Sequence, residues 1–423
     1  MSSDSSSALE LDQSDSFAHV REQFYLPRDA IYLDGNSLGL ASKAAERVLL
    51  EAFDEWKTHA IDGWSHGQRP WLYNAEALGA RLAPFIGAKP GEVVATGSIT
   101  VNIHQLLSSF YKPTPQRSLI LADSLNFPTD LYALQSQLRL HNLDIAEHLL
   151  CTTSRDGHLL DEDDIIANMS DRVAILWLPT VMYRSGQLLD IARLTDEAHR
   201  RGILVGLDLA HSVGCMPHRL HDWGVDFAVW CNYKYMNGGP GAVGGLFVHE
   251  RRFGSPPGLA GWFGSDKSKQ FAMDHHFTPA ADAGAYQIGT PHLFSSAPLF
   301  GSLEIMEAVG IEHIRARSLR LTDYMMRQID LELRPFDFTV VTPREHHRRG
   351  GHVSVQHNDA ARIVKAMKTA GVIPDYREPN IIRLAPVALY TSYQDIEEAI
   401  HRIRRIMTDR AYDAFANERG IVA

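Results

Sequence analysis

The sequence predicts an α/β fold, with a large domain built on a mostly parallel, doubly wound sheet and a smaller C-terminal α/β domain. Five short apolar runs have the pattern of strands buried on both faces, at residues 93–96, 118–122, 173–178, 203–208 and 227–230. Stretches with helical spacing lie between them, at residues 100–111, 130–141, 161–169 and 190–201. Strands that alternate with helices indicate a parallel sheet, in which ligands bind beyond the carboxyl ends of the strands.

The regions outside this alternation predict three further parts of the chain. Residues 1–16 are rich in serine and aspartate and are expected to form a disordered leader. Residues 17–68 are expected to form an N-terminal arm, with a helix at 41–59, that wraps the large domain of residues 69–295. The small domain, residues 296–423, is expected to open with a helical stretch to residue 334. Strands at 338–341, 351–355 and 381–384 and helices at 359–370 and 393–410 should follow.

The overall composition is that of a globular enzyme and excludes several classes of protein. The 423 residues carry a formal net charge of -10, so the chain lacks the basic surface with which proteins bind nucleic acid or anionic membranes. No stretch approaches the ~18 consecutive apolar residues of a membrane span. Only three cysteines are present, so we expect no disulfide framework and a reducing, cytoplasmic location.

A lysine follows one of the predicted strands in a context that favours a carbonyl cofactor. Lys234 lies between the apolar run at 227–230 and a glycine-rich turn at 237–241, and Asp208 and His211 follow the preceding strand. A lysine amine activates a carbonyl cofactor by forming a Schiff base with it. A carboxylate at a strand end can pair with the protonated nitrogen of a pyridine ring. These residues therefore predict a site that holds a pyridine aldehyde.

Two further features suit a phosphorylated cofactor and an amino-acid substrate. Ile99 and Thr100 open a helix after a predicted strand, and phosphate binds to backbone N–H groups at such a helix N-terminus. Thr100 would serve equally as a cap of that helix. Arg383 lies in an apolar strand of the small domain, and a guanidinium group binds a carboxylate through two hydrogen bonds. Arg383 is therefore the candidate for the substrate carboxylate.

Seven motifs occur in a fixed order along the chain. They are YLDGNSLG at 32–39, FPTD at 127–130, DLAH at 208–211, HDWGVDF at 221–227, YKY at 233–235, GWFG at 261–264 and RLAP at 383–386. In these motifs the chain resembles the kynureninases, pyridoxal 5'-phosphate (PLP) enzymes that hydrolyse kynurenine to anthranilate and alanine. The resemblance extends from residue 32 to residue 390. It implies the aspartate-aminotransferase-like fold, known as fold type I, and a homodimer.

The resemblance also implies a role for each site residue. Lys234 would hold the cofactor and then act as the base at the substrate Cα, with Tyr233 and Asp130 as the other catalytic residues. The implied cofactor contacts are Ile99, Thr100, Phe127, Pro128, Thr129, Asp130, Asp208, His211, Tyr233 and Lys234, with Trp262 and Thr290 reaching across from a second subunit. The implied substrate contacts are Arg383, Trp64, Asn36 and Ser37.

Substrate preference is implied by one aromatic residue. Trp64 stands where the animal kynureninases that prefer 3-hydroxykynurenine have histidine, and Gly289 and Thr290 stand where they have Ser-Asn. A tryptophan wall without an amide leaves little to hydrogen-bond a ring hydroxyl. The resemblance therefore implies L-kynurenine as the better substrate and 3-hydroxykynurenine as a weaker one, although His66 lies close to Trp64 in sequence.

The chain departs from the family pattern at Pro179. This residue takes the position of a serine or threonine that is expected near the cofactor ring. Proline has neither a hydroxyl nor an N–H group, so the contact is either lost or supplied by Thr180.

Two alternative functions stay open at this point. Another enzyme of the same fold, such as an aminotransferase, is excluded only by the motifs, whereas a cysteine desulfurase is disfavoured because no cysteine follows Cys231. A non-catalytic relative that binds the cofactor would account for Pro179 but not for Lys234, Asp208 and Arg383. No metal is expected, because His218 and His221 have no nearby cysteine to complete a ligand set.

Overall fold

The computed structural model describes residues 7–420. Its strands, numbered along the chain, are β1 (Ile31–Tyr32), β2 (Val93–Ala95), β3 (Leu119–Asp123), β4 (Leu149–Thr152), β5 (Val173–Pro179), β6 (Leu204–Asp208), β7 (Phe227–Cys231), β8 (Gly244–Val248), β9 (Thr339–Val340), β10 (Val353–Gln356), β11 (Val372–Ile373), β12 (Asp375–Arg377) and β13 (Ile381–Leu384). Its α-helices are α1 (Ala8–Gln13), α2 (Ala18–Arg21), α3 (Lys43–His59), α4 (Asn74–Leu82), α5 (Ile99–Phe110), α6 (Pro128–Leu140), α7 (Ile145–His148), α8 (Glu162–Ala167), α9 (Ile191–Arg200), α10 (Leu220–Trp223), α11 (Leu293–Val309), α12 (Ile311–Glu332), α13 (Ala360–Thr369) and α14 (Tyr393–Thr408).

Seven strands form the central sheet, in the order β2-β8-β7-β6-β5-β3-β4. Strands β7, β6, β5, β3 and β4 run parallel, whereas β8 is antiparallel to both β7 and β2. Every residue of β3, β5, β7 and β8 is buried, as expected of a sheet that is covered on both faces. The predicted fold class and all five predicted strands of the large domain are confirmed.

The two faces of this sheet pack into separate hydrophobic clusters. Along β3, Leu119 and Leu121 belong to one cluster, and Ile120 and Ala122 belong to the other. This alternation is the period of two that a β-strand imposes on its side chains. A sheet buried on both faces leaves its strand ends, rather than its surfaces, available for ligands.

Four elements bring polar side chains to the same edge of the sheet. β6 ends at Asp208, β7 ends three residues before Lys234, and α6 begins directly after Phe127, which follows β3. β2 runs in the same direction as β7, because β8 is antiparallel to both, so α5 also begins at this edge. The sequence placed its candidate residues beyond the carboxyl ends of the strands, and the topology confirms that placement.

The C-terminal part is built on an antiparallel sheet of four strands in the order β12-β13-β10-β9. Residues of α12, α13 and α14 pack with these strands in a core of their own. Among residues 7–420, no helix is both long and apolar enough to cross a membrane.

The first described residues are bound to the small domain, which corrects the predicted disordered leader. Residues 8–13 form α1, closed by a capping box. Asp12 accepts hydrogen bonds from the backbone N–H groups of Tyr393 (2.8 Å) and Gln394 (3.0 Å), at the N-terminus of α14. Asp15 forms a buried ion pair with Arg317 (2.6 Å). The acidic residues therefore act as partners for specific groups, and residues 1–6 of the predicted leader lie outside the described residues.

The N-terminal arm contacts both domains, whereas the sequence predicted that it wraps the large one. Strand β1 pairs in parallel with β11 of the small domain. Helix α3 packs on α11, and its residue Val48 lies in the same core as the large sheet. The arm therefore connects the two domains.

The helical stretch predicted from residue 296 to residue 334 consists of two helices, which are separated at Gly310. This glycine has a φ of 82° and separates α11 from α12. Leu299 and Leu303 of α11 lie in a core shared with the large sheet, whereas Leu321 and Met325 of α12 lie in the core of the small domain. The core changes within α12, since Ile314 still lies in the core of the large sheet; this does not test the predicted boundary at residue 296, which stays a prediction.

Candidate active site

A cavity of about 220 Å³ opens at the carboxyl edge of the central sheet. The strand ends of the large domain supply one side, and β12 and β13 supply another. The lining residues are Asn36, Ser37, Ile99, Thr100, Phe127, Thr129, Asp130, Tyr183, Asp208, Ala210, His211, Cys231, Tyr233, Lys234, Arg377 and Arg383. All the predicted site residues except Pro128, Trp64, Trp262 and Thr290 therefore meet in one place.

The amine of Lys234 is held by a neutral histidine. Lys234 Nζ lies 3.0 Å from His211 Nε2. Burial and the nearby lysine charge lower the pKa of His211 well below its ordinary value, so the ring is uncharged and its Nε2 accepts a hydrogen from the amine. This contact orients the amine in the cavity.

Two buried carboxyl groups share one negative charge beside the lysine. Burial raises the pKa of both Asp130 and Asp208, and the Asp208 charge raises that of Asp130 further. Asp208 is stabilised as an anion by Lys234 and by a hydrogen bond from Ala210 N (2.7 Å). Within the described residues, Asp130 Oδ2 accepts only the neutral N–H of Trp177 (2.9 Å), and Lys234 favours the charged form of Asp130 less than burial and Asp208 oppose it. The pair therefore keeps its proton on Asp130 and its charge on Asp208.

The opposite end of the cavity suits an anion. Ser98 is the residue before α5, and its side chain makes no capping hydrogen bond to the helix. The hydroxyl of Ser98 therefore does not occupy the first backbone N–H groups of α5. Ile99 and Thr100 of this first turn line the cavity. Burial raises the pKa of Tyr233, which keeps its hydroxyl protonated and able to donate. Backbone N–H groups with two hydroxyls form a phosphate-binding end.

The small domain contributes a buried arginine. Arg383 donates to the carbonyl oxygen of Tyr183 (2.7 Å), to the hydroxyl of Ser37 (3.0 Å) and to the carboxylate of Asp375. Asp375 stands opposite Arg383 in the pairing of β12 with β13. The guanidinium is thus fixed at the edge of the cavity by groups from both domains.

The residues present fit PLP. The cavity offers an amine for the aldehyde, a carboxylate for the ring nitrogen, and hydroxyl and N–H donors for the phosphate, from Lys234, Asp208, Thr100 and Tyr233. Within the described residues, Asp130 Oδ1 is buried without a hydrogen-bond partner, which is expected of an acid that meets a ligand atom.

Four predicted residues lie outside this cavity. Pro128 occupies the first position of α6. Trp64 packs on Phe263, with ring centroids 5.7 Å apart, and Trp262 packs on the same ring at 5.4 Å. Thr290 is exposed. A single chain therefore does not bring Trp64, Trp262 or Thr290 to its own Lys234.

Four residues of the cavity were not in the sequence-based site. These are Tyr183, Ala210, Cys231 and Arg377. Tyr183 makes an edge-on contact with Phe127 at 5.2 Å. Ala210 belongs to the motif at 208–211, whereas Tyr183 lies four residues after Pro179 and outside the seven motifs. Arg377 lies in β12, a short strand with no apolar run, and no sequence signal identified it.

Thr180 does not replace the hydroxyl that Pro179 lacks. Pro179 ends β5 and pairs with Asp208 of β6. The Thr180 hydroxyl is buried and hydrogen-bonds Ser212 Oγ at 2.6 Å, and Thr180 does not line the cavity. The departure from the family pattern is therefore not compensated from this position.

One group of side chains away from the cavity has the composition of a metal site. Glu92, His221 and His249 place ligand atoms within 4.8 Å of one another. Their lone pairs are largely engaged: Glu92 Oε1 accepts from His221 Nδ1 (2.9 Å), and His249 Nδ1 accepts from Arg251 N (3.2 Å). The hydrogen bonds explain the cluster without an ion, and the absence of a metal stays a prediction.

Solved structures with the same fold include enzymes that act on sulfur amino acids. An apo cysteine desulfurase from Thermococcus onnurineus is 18% identical, with a TM-score of 0.79, over 94% of this chain and 99% of that chain. A mutant of C-DES with glycine covalently linked to its PLP cofactor is 16% identical, with a TM-score of 0.78, over 91% and 98%. At these identities the likeness establishes the fold alone.

Sequence relatives are much closer. The family model of the kynureninase C-terminal domain matches residues 314–403. A kynureninase of Geobacillus thermodenitrificans is 59% identical over 416 residues, which are 98% of this chain and 97% of the relative. Kynureninases of Bacillus cereus and Shouchella clausii are each 55% identical over the same shares. Because this identity extends over nearly the whole chain, the protein belongs to the kynureninase family, the hydrolases that cleave a carbon–carbon bond in ketonic substrates.

Proposed function

We propose that this chain hydrolyses L-kynurenine to anthranilate and L-alanine, with PLP attached to Lys234. The single observation that carries the proposal is the cavity in which Lys234, Asp208, Thr100 and Arg383 meet. The identity of 59% to a kynureninase supports the same reaction.

The cavity residues would bind different parts of the cofactor. Bound PLP supplies an electron sink for the bonds that break at the substrate Cα and between Cβ and Cγ. Asp208 would pair with the protonated ring nitrogen, and Lys234 and the N–H group of Ala210 favour its charged form against the effect of burial. The uncapped first turn of α5, with Thr100 and Tyr233, holds the phosphate.

Proton transfer is assigned to Lys234 and Tyr233, two side chains of the cavity that can accept or donate a proton. With PLP bound, Lys234 would take the proton from the substrate Cα, and His211 at 3.0 Å keeps its amine in place. The protonated hydroxyl of Tyr233 is the proton donor within the cavity, and the neutral acid of Asp130 donates a hydrogen bond there. Water adds to the γ-carbonyl, the bond between Cβ and Cγ breaks, the carboxyl group of anthranilate keeps the oxygen of the water, and Cβ takes up one proton.

Substrate selection is proposed to depend on Arg383, Asn36 and Ser37 for the amino-acid end and on Trp64 for the aryl end. Arg383 and Ser37 already form a hydrogen bond (3.0 Å). Trp64 lies in an aromatic cluster with Phe263 and Trp262 and offers no group that would bind a ring hydroxyl. L-Kynurenine is therefore proposed as the better substrate and 3-hydroxykynurenine as the weaker one.

A homodimer is proposed because aromatic residues are exposed in groups. Phe53, Trp56 and Phe294 are 48%, 52% and 44% exposed, and their ring centroids lie within 6.2 Å of one another. Large apolar patches on a surface mark interaction sites. In such a dimer, Trp262, Trp64 and Thr290 would complete the cavity of the opposite subunit.

The cellular setting is part of the same proposal. The reaction would belong to tryptophan catabolism by the kynurenine route, and its product could feed nicotinamide biosynthesis. A cytoplasmic location is supported by three cysteines that are all free of disulfides.

The test is a comparison of two substrates on one enzyme. Purified protein loaded with PLP would be mixed with L-kynurenine and with 3-hydroxykynurenine, and product release followed by fluorescence. We expect product to be released faster from L-kynurenine, as anthranilate, than from 3-hydroxykynurenine. The variant Lys234→Ala should release no product from either substrate. Faster release from the hydroxylated substrate would contradict the Trp64 assignment alone. Bound cofactor with no product from either substrate would support a non-catalytic relative and make Pro179 the leading cause.

A further inference from the structure

Arg383 has few hydrogen-bonding groups left for a substrate. Its side chain is 1% exposed, and its donors contact Asp375, the carbonyl oxygen of Tyr183 and the hydroxyl of Ser37. Its ion pair with Asp375, which is 2% exposed, is neutral as a unit. A buried neutral pair attracts an incoming carboxylate far less than a free guanidinium does.

A second arginine stands beside this pair and lines the same cavity. Arg377 is 28% exposed and donates from Nε to Asp375 Oδ2 at 2.9 Å. Within the described residues, its two terminal amino groups make no hydrogen bond. Arg377 and Asp375 are two apart in β12, so both side chains lie on the face that β12 shares with the cavity.

The charges at this end of the cavity balance only when Arg377 is counted. Asp34 interacts electrostatically with Asp375, Arg383 and Arg377. With Asp34 and Asp375 ionised, two negative and two positive charges cancel. Without Arg377 the same end carries a net negative charge, which would repel an amino-acid carboxylate.

We propose that Arg377 is a second substrate-binding residue, which holds the α-carboxylate together with Arg383 while Asp375 positions both guanidinium groups. In this arrangement Arg383 supplies a fixed, buried edge, and Arg377 supplies the free donors. The inference rests on the proposed function, since it takes an α-amino acid as the ligand of the cavity.

The test uses two substitutions at Arg377 in the PLP-loaded enzyme. Arg377→Gln removes the charge, and Arg377→Lys keeps the charge but loses the planar pair of donors. Arg362→Gln is the matched control, because Arg362 is 25% exposed and paired with Asp359 at 2.9 Å, away from the cavity. The first readout is equilibrium binding of L-alanine, followed by the absorbance of the bound cofactor.

We expect Arg377→Gln to weaken L-alanine binding by about 10- to 100-fold, the loss of a charge-assisted hydrogen bond. Arg377→Lys should lose less, and Arg362→Gln should bind as the unchanged protein does. The second readout is KM and kcat for L-kynurenine, where KM should rise more than kcat falls. Binding of kynuramine, which lacks the carboxylate, should stay the same in all variants.

Two results would overturn the proposal. One is an unchanged affinity of Arg377→Gln for L-alanine. The other is an equal loss of affinity for kynuramine, which would show that Arg377 only supports the structure; Arg377→Lys decides the matter if the glutamine variant does not fold. If the unchanged protein binds L-alanine but releases no anthranilate, the proposed reaction fails, and the affinity comparison still tests Arg377.

Discussion

Asp130 and Asp208 are both buried aspartates of the same cavity, yet their surroundings give them opposite protonation states. Asp208 has a lysine charge and a backbone N–H group in its favour, whereas Asp130 has the Asp208 charge against it. The family resemblance identified both residues, because they lie in recognisable motifs. It did not distinguish their states, since protonation depends on neighbours that only the fold brings together.

The difference predicts unequal effects of the same isosteric change. Asp130→Asn keeps a neutral side chain with a donor, so we expect kcat/KM to fall by less than about 10-fold. Asp208→Asn removes the charge that pairs with the ring nitrogen, and we expect a loss of at least about 100-fold together with weaker PLP retention. Steady-state kinetics and the absorbance of retained PLP after dialysis measure both effects, and equal losses in the two variants would contradict the assignment.

Asp34 predicts that carboxylate binding depends on pH. Burial and the Asp375 charge raise the pKa of Asp34, Ser37, Arg383 and Arg377 lower it, and the net result is a pKa of about 6. Below this pKa the side chain is neutral and the cavity end is more positive. We therefore expect the affinity for L-alanine to fall as the pH rises from 5 to 7, by about 10-fold for one removed proton near the ligand.

The variant Asp34→Asn separates this effect from the titration of the ligand and the cofactor. At pH 7 its affinity for L-alanine should exceed that of the unchanged protein by about 10-fold, and at pH 5 the two affinities should nearly agree. An identical pH profile in the two proteins would assign the dependence to another group.

At the scale of elements, the ion pair between Asp15 and Arg317 joins the turn after α1 to α12. Both side chains are 5% exposed. Asp15→Ala leaves a buried guanidinium without its counter-charge, so we expect the free energy of unfolding to fall by about 3–5 kcal/mol. Asp54→Ala is the control, because Asp54 and Lys57 form an exposed pair, and such pairs contribute about 0–1 kcal/mol. Urea unfolding of the two variants measures the difference, and similar losses would contradict the structural role of Asp15.

The elements that the sequence predicted well are those whose own residues determine whether they are buried. β3, β5 and β7 consist of consecutive apolar residues, which can be buried only inside a sheet covered on both faces. α1 was missed because its partners are distant in sequence, and β12 was missed because its three residues contain no apolar run. The acidic residues of α1 resemble a disordered segment until α14 and Arg317 are placed beside them. Arg377 was missed because β12 is defined by its pairing with β13 and not by a pattern in its own residues.

At the scale of the whole molecule, the proposed dimer predicts that two inactive variants restore each other. Lys234→Ala removes the reactive amine, and Trp262→Ala removes a residue expected to complete the opposite cavity. In a mixed dimer, one cavity receives both defects and the other receives neither. We expect activity to return after the two proteins are unfolded together and refolded as a mixture, while each protein alone stays inactive or weak.

The control for this mixture is Lys234→Ala refolded with Asp208→Asn. Both changes lie in the cavity of their own chain, so no mixed dimer has an intact site. Recovery in the control as well would contradict a crossing Trp262, and a monomeric protein by light scattering would contradict the dimer itself.

The attachment of the N-terminal segment to the small domain has a consequence for the order in which the protein folds during synthesis. Asp12 binds Tyr393, a residue that lies 381 positions later in the chain. At the usual rates of synthesis, roughly 20–75 s pass between the appearance of these two residues. The central sheet, from β2 to β8, is complete on the ribosome well before α14 emerges. α1 and β1 are therefore synthesised well before α14 and β11, with which they pack. Their docking on the small domain is a late step of folding that joins an early and a late segment of the chain.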